Sequence, residues 1–442
     1  MRRAVIIGGG ISGLSTAYYL AKAGIPSTLI ERERRLGGVI LTERVEGCLL
    51  EAGPDSFVTF KPAALALIKE LGLGHEVIGS NDHIRATYIW KRGRMIKMPE
   101  GFTLMVPAKV APVVTTPLFG LGTKLKMAAE WFRSPQPSNG DRSVSEFVTD
   151  HYGREVVDYL TEPLLAGVYG GDSDSMSVRS VLPRMVEWET KYGSLSRGAK
   201  KEVRPGRKGS TLFNTLKNGL CTLTDELVRQ AGGNLEVIYG EVEQVLPGYR
   251  VRVNGETIEA ENVVLATPAW RAAGLLPQGE LSILLETVPY TSSTIVALIY
   301  RREDVQHPMK GHGFLVPKVE RQHVTACTWM NNKFNFRVPD DKVALRCFVH
   351  GEPDKTEDDI RTMMGITAKP VARTVHRWPK AMAQYTVGHE DRIQRIDQIL
   401  ASTPGLYLAG NAYTGIGIPD CIRMGKAAAE KIAASTPAAP PG

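Results

Sequence analysis

The stretch AVIIGGGISG, residues 4–13, passes from a short β-branched apolar strand into Gly8-x-Gly10-x-x-Gly13, and the following LSTAYYLAKAG reads as a helix. A strand, a glycine turn and a helix in that order form a dinucleotide-binding unit. Gly8 permits the tight turn, Gly10 lets the backbone approach a pyrophosphate, and Gly13 lets helix and strand pack closely. The helix start adds N–H groups and partial positive charge. Glu31 closes a second strand, STLIE at 27–31, where a carboxylate is expected to accept from the adenosine ribose hydroxyls.

The chain has 442 residues, enough for two or three domains, and its 43% hydrophobic and 23% charged residues are ordinary globular values. Its formal net charge of +7 is unevenly placed. Six basic residues crowd into Arg197–Lys208, which reads as a solvated loop; no aromatic residues interleave to stack bases, so no nucleic-acid partner is expected. Five widely spaced cysteines without a CxxC exclude a disulfide scaffold, a zinc site or an iron–sulfur cluster and point to a reducing, cytoplasmic location. No export signal is evident, since the apolar run after Arg2-Arg3 is the glycine-motif strand itself. The apolar stretch FTLMVPAKVAPVVTTPLFGLG at 102–122 is broken by Lys109, Pro107, Pro112 and Pro117, so it reads as an apolar wall or a peripheral contact at the inner membrane face.

Hydrophobic periodicity places a helix near 62–71 and hairpin strands at 84–98 around Arg92-Gly93. Helical patterning dominates 123–230. Strands then return, with an Asn254-Gly255 turn, and a strand-rich stretch at 291–301 and 313–349 suggests a sheet that roofs a ligand. Near the end, PGLYLAGNAYTGIGIPDCIRMGKAAAEKIA at 404–433 is again strand, glycine loop and helix, followed by a disordered tail at 437–442. No second GxGxxG is present to hold a nicotinamide. The expected domains are 1–80, 215–285 and 375–436 for the nucleotide; 81–100 and 286–374 for a sheet-rich substrate domain; and 101–214 for a helical insertion, a candidate for membrane contact and substrate entry.

Arg35-Leu36-Gly37-Gly38 looks like the second dinucleotide cradle of amine-oxidase-like flavoproteins. Further segments carry a closer likeness: Gly53-Pro-Asp-Ser-Phe57 with Lys61, Glu162-Pro-Leu-Leu-Ala-Gly-Val-Tyr169, Cys327-Thr-Trp329, Arg377-Trp378, Gln384-Tyr385-Thr-Val-Gly388-His389 and Gly415-Ile-Gly-Ile-Pro-Asp-Cys421. On these the chain resembles the bacterial porphyrinogen oxidases from about residue 3 to 433. The resemblance implies an α/β chain with a discontinuous FAD-binding Rossmann-like domain, a mixed-sheet substrate domain and a helical insertion. It also implies non-covalent FAD, six-electron oxidation of a porphyrinogen to a porphyrin for haem synthesis by hydride transfer to flavin N5, O2 as acceptor and H2O2 as product. No catalytic side chain and no metal is needed, because the cofactor carries the difficult step. Handing the product to the next haem-pathway enzyme is a further implied partnership.

By the same resemblance the cofactor is held at Gly8, Gly10, Ile11, Ser12 and Gly13, at Glu31 and Arg32, and at Gly37 and Gly38. Gly53, Pro54, Asp55 and Ser56 form another part of that surface, and Val242, Trp378, Gly410, Gly417 and Ile418 complete it. Asp55 stands where the mitochondrial and plastid branch has arginine, which together with Lys61 indicates coproporphyrinogen III, a tetracarboxylate, ahead of protoporphyrinogen IX. Lys61 is the expected carboxylate partner, and Tyr169 and Trp329 are expected to line the macrocycle. His389 reads as a structural histidine and Cys421 as a buried thiol without a flavin tether. A non-catalytic escort protein on the same fold is the alternative from another class.

Overall fold

The computed structural model describes residues 2–99, 102–103, 106–107, 110–135, 140–202 and 211–435. β1 (Arg2–Ile7) is flanked on both sides by parallel partners, with Ala4 opposite Ser27 of β2 (Ser27–Glu31) and opposite Asn262 of the strand Glu256–Leu265. Leu235–Tyr239 adds to the outer edge of β2, and Leu406–Leu408 runs parallel to Glu256–Leu265. Parallel neighbours need a crossover, which α1 (Ile11–Lys22) supplies between β1 and β2. The strands are continuously apolar because helices cover both faces, and Val5, Ile6, Leu29, Val263 and Val264 are fully buried. All the parallel carboxyl ends therefore meet along one edge. That edge carries Gly8, Glu31, Ala266 and Ala409.

The last helix, Ile418–Ser435, packs against α1 at close range. Thr16 Oγ1 donates to Ser12 O at 2.9 Å and to Gly425 O at 3.1 Å, and a Cβ on Gly425 would fall inside the van der Waals radius of Ser12 O. One face of the parallel sheet thus depends on a glycine 409 residues away from the hydroxyl that meets it.

The second sheet has seven strands, in spatial order Ala372–Ala383, Tyr290–Arg301, Lys342–Val349, Val324–Trp329, Gly313–Leu315, Thr87–Lys91 and Arg94–Lys97. The 84–98 hairpin turns where expected, with Arg92 at φ 51° and Gly93 at φ 75°. One boundary shifts. The strand Ala372–Ala383 pairs along its length with Tyr290–Arg301, from Ala372 opposite Ile299 to Ala383 opposite Tyr290, so the chain leaves the roof sheet after 383 and not at 375.

The inserted helices between Val110 and Glu202 build their own core around Phe147, Tyr152, Leu160 and Trp188. The basic run is not a loop throughout: Leu195–Glu202 is a helix, and Arg197 donates to Arg133 O and Tyr192 O. The rest of that run, 203–208, lies outside the described residues, as does the tail 437–442. Within 102–122, Val113, Leu118 and Phe119 are buried, whereas Val114 and Leu121 are exposed. No helix among the described residues is long and apolar enough to cross a membrane.

Replacing Gly425 by valine forces α1 and the last helix apart, and overpacking of this kind costs about 1–3 kcal/mol. Chemical denaturation of G425V should show a lowered midpoint; an unchanged midpoint would contradict this packing.

Candidate active site

The glycine turn occupies the edge where the parallel strands end. Gly8 takes φ 108°, and a Cβ there would strike Ala266 O at 2.7 Å; a Cβ on Gly13 would overlap Gly8 O. Gly10, by contrast, faces open space. Gly10 is also the N-cap of α1, with no acidic residue in the first turn, so no N-cap side chain accepts from the leading N–H groups of Ile11, Ser12 and Gly13. Glu31 fixes the turn from the side: Oε2 accepts from Gly9 N at 2.6 Å and Oε1 from Glu33 N at 2.8 Å. Arg32 points away and pairs with Glu33 at 3.0 Å on the surface.

The second glycine pair folds back on the first. Gly37 N donates to Gly9 O at 2.8 Å, Gly37 and Gly38 both have positive φ, and a Cβ on Gly38 would meet Gly10 Cα at 3.0 Å. Arg35 closes this loop by donating to Ile40 O at 2.8 Å and to Gly38 O. Thr267 follows the strand Glu256–Leu265 beside Gly8, and its buried hydroxyl has no hydrogen-bond partner among the described residues. A free helix start, two glycine cradles and an orphaned hydroxyl together fit a bound pyrophosphate.

Val242 lies near the Glu31 end of this edge. Its carbonyl accepts from Arg271 at 3.2 Å, and with Glu241, Glu243 and Asn254 it lines a surface groove. Gly410 follows the strand Leu406–Leu408 with φ 152°. Gly417 and Ile418 stand at the start of the last helix, where Asp420 Oδ2 accepts from Gly417 N at 3.3 Å.

A strap from Glu51 to Ser56 crosses between the two sheets. A Cβ on Gly53 would overlap Val39 O, so the strap hugs the segment after Gly38. Three successive carbonyls of it are held by the roof sheet. Arg346 Nε donates to Glu51 O at 3.1 Å, Trp378 Nε1 to Ala52 O at 2.7 Å, and Arg346 Nη2 to Gly53 O. Asp55 turns its carboxylate to Lys333, at 2.7 and 2.9 Å, and to Ser56 Oγ at 2.7 Å. Burial pushes the Asp55 carboxyl up, but Lys333 and Arg346 outweigh it and hold the group below its ordinary range. Of this segment, then, the Asp55 carboxylate is committed to the roof.

Lys61 does not stand alone. Its ammonium pairs with Asp420 at 2.6 Å, with 43% of the lysine side chain and 8% of the aspartate exposed. Tyr169, at the end of the inserted helix Glu162–Tyr169, adjoins the same group: burial and then the Asp420 charge raise its phenol to about 12. Its carbonyl accepts from Gln384 Nε2 at 2.8 Å. The structure therefore brings Lys61, Tyr169 and the Gly417 turn together from three parts of the chain. Trp329 is not among them. It is 1% exposed, on the side of the roof sheet where Tyr88, His307 and Phe314 surround it, because its strand position points into that core.

Residues 11–433 match a family described as flavin containing amine oxidoreductase. The chain belongs to this family. A relative named coproporphyrinogen III oxidase from Bacillus subtilis (strain 168) is 35% identical over 97% of each chain, and one of the same name from Staphylococcus aureus is 31% identical over 97% of this chain and 98% of its own. A solved structure from Exiguobacterium sp. 255-15, provisionally assigned as a protoporphyrinogen oxidase, superposes with a TM-score of 0.88 at 32% identity over 98% and 99% of the two chains.

Thr267, Lys333, Arg346 and Asp420 are parts of this site that motif reading passed over. Arg346 had a signal, as the one charged residue inside the apolar run Val343–Val349. His389 is structural: it stacks on Tyr385 at 4.0 Å and lies 2.9 Å from Tyr413 O through Nε2. Burial lowers its imidazole from 6.5 to about 4. The Cys421 thiol is pushed up by burial to about 11 and stays protonated at neutral pH.

Because the unfolded chain binds a proton on His389 between about pH 6.5 and 4 and the folded protein does not, stability falls as pH drops through that window. His389→Gln keeps a donor for Tyr413 O without titrating. Its unfolding free energy should fall less steeply between pH 6.5 and 4 than that of the parent; identical slopes would contradict the assignment.

Proposed function

We propose that this protein is an FAD-dependent oxidase that converts coproporphyrinogen III to coproporphyrin III in haem synthesis. The observation that carries this reading is full-length similarity to coproporphyrinogen III oxidases on a chain whose strand-end edge carries an uncapped helix start and paired glycine cradles. When bound, FAD supplies the hydride acceptor and returns the electrons to O2 as H2O2, in three successive two-electron rounds.

The chain's own residues do the rest. The N–H groups at the start of α1 and the Gly37-Gly38 loop receive the pyrophosphate, and Glu31 receives the ribose hydroxyls while bracing Gly9. The strap at Gly53–Ser56, braced by Trp378 through Ala52 O, and the Gly417-Ile418 turn orient the cofactor's reactive end. Lys61, with 43% of its side chain exposed, is a flexible point charge that can turn from the buried Asp420 toward a substrate carboxylate. Tyr169 closes that corner from the insertion. The product's transfer to a following haem-pathway enzyme is part of the same reading.

A peripheral membrane contact accompanies it. Leu121, Leu125, Ala128 and Phe132 follow one another at helical spacing and are all exposed, Leu121 at 74%, Leu125 at 62% and Phe132 at 81%. Lys124, Lys126 and Arg133 flank them. Such a face suits the interfacial zone of an anionic bilayer.

Comparison of kcat/KM for copro- and protoporphyrinogen by porphyrin fluorescence tests the substrate. Coproporphyrinogen should be preferred, and Lys61→Ala should lower its kcat/KM about tenfold, roughly 1.4 kcal/mol, while affecting the dicarboxylate less. Preference for protoporphyrinogen, or equal losses in the variant, would refute the assignment. In vesicle co-sedimentation, the double variant L125S/F132S should lose binding to anionic vesicles; unchanged binding would remove this face from the account.

A further inference from the structure

Between the strap and the roof sheet lies a small cavity whose charges do not balance. Leu49, Glu51, Asp55, Lys333, Arg337 and Arg346 are among its walls. Arg337 donates to Glu51 Oε1 at 3.1 Å, Thr215 Oγ1 at 2.7 Å and Leu216 O at 3.0 Å, and is 3% exposed. Lys333 is matched by Asp55. Arg346, 4% exposed, makes no ion pair within 4 Å among the described residues: it donates to the carbonyls of Glu51 and Gly53, and its guanidinium lies over the Phe348 ring at 4.5 Å. Three cations thus face two carboxylates. Burial also pushes the Glu51 carboxyl up against the pull of Arg337, which does nothing to restore the balance.

A guanidinium buried among carbonyl dipoles, without its own carboxylate, is costly unless it acts on something. Resting on the flavin reading above, we propose that Arg346 is a positioning residue for the cofactor. Its fork fixes the Glu51–Gly53 backbone against which FAD seats, and its unbalanced charge favours the cofactor's reduced, more negative state. Lysine cannot replace the fork, since one point charge does not bridge two carbonyls of an extended strap, but it can replace the charge. A buried unit charge acts over roughly 10 Å with an effect on the order of tenfold in an equilibrium constant.

The test measures FAD dissociation and the two-electron flavin potential in the purified full-length protein and in R346M and R346K. R346M should bind FAD about tenfold more weakly and show a reduction equilibrium about tenfold less favourable, roughly 30 mV lower for a two-electron couple. R346K should also bind FAD more weakly, with its potential kept near that of the parent. An unchanged potential in R346M, an equal fall in R346K, or parent-like FAD affinity in either variant overturns the proposal. If R346M lacks a cooperative unfolding transition, R346K decides: weakened FAD with a preserved potential supports the role, and any other pattern overturns it. A parent protein that binds no FAD refutes the flavin reading itself, which separates the two failures.

Discussion

The start of α1 has a glycine N-cap that offers no side-chain acceptor, and much of the architecture serves to hold that helix end at one point. Gly13 lets the helix lie against the Gly8 carbonyl, Gly425 lets the last helix lie against α1, and Glu31 pins Gly9 from the neighbouring strand. Each is a close approach of backbone to backbone, or of carboxylate to backbone. The result is a helix start presented at the carboxyl ends of parallel strands, where its dipole favours an anion.

The second constraint is the seam between the sheets. The Glu51–Ser56 strap belongs in sequence to the nucleotide half, yet its carbonyls are held by Arg346 and Trp378 of the roof and its aspartate by Lys333. Buried charge of this kind contributes little net stability but fixes geometry, because any misplacement leaves a cation or carboxylate unpaired in a poorly solvated site. Lys61 and Asp420 make a second, wetter seam where the insertion, through Tyr169, meets the last helix. The two seams differ in exposure, and that difference suits one to holding a cofactor and the other to exchanging partners.

Much of this was legible in the residues. The Gly8–Gly13 turn and its strand, helix and acidic closure are local, so their geometry follows from a few dozen residues, and β1, α1 and β2 follow one another in the expected order. The roof hairpin and the Asn254-Gly255 turn were legible for the same reason. What escaped is long-range: that Trp329 faces a core and not the crevice depends on which side of its strand is covered, and the meeting of Lys61 with Asp420 spans a separation of 359 residues. The strand Ala372–Ala383 was divided wrongly because its polar alternation gives no hint that all 12 of its residues form one strand beside Tyr290–Arg301. Likewise, that Arg197 of the basic run turns inward depends on the carbonyl of Arg133, 64 residues away in sequence.

The central claim is that the crevice at the strand ends holds a flavin that takes electrons directly from a porphyrinogen. Anaerobic mixing of the FAD-loaded protein with coproporphyrinogen III, followed by its visible absorption, tests it most directly. The account predicts that the flavin bands bleach on mixing, with at most one porphyrin formed for every three flavins reduced, and that admitting O2 restores the flavin and completes porphyrin formation. Porphyrin formation without flavin bleaching, or a flavin that stays oxidised in the presence of the porphyrinogen, would contradict it.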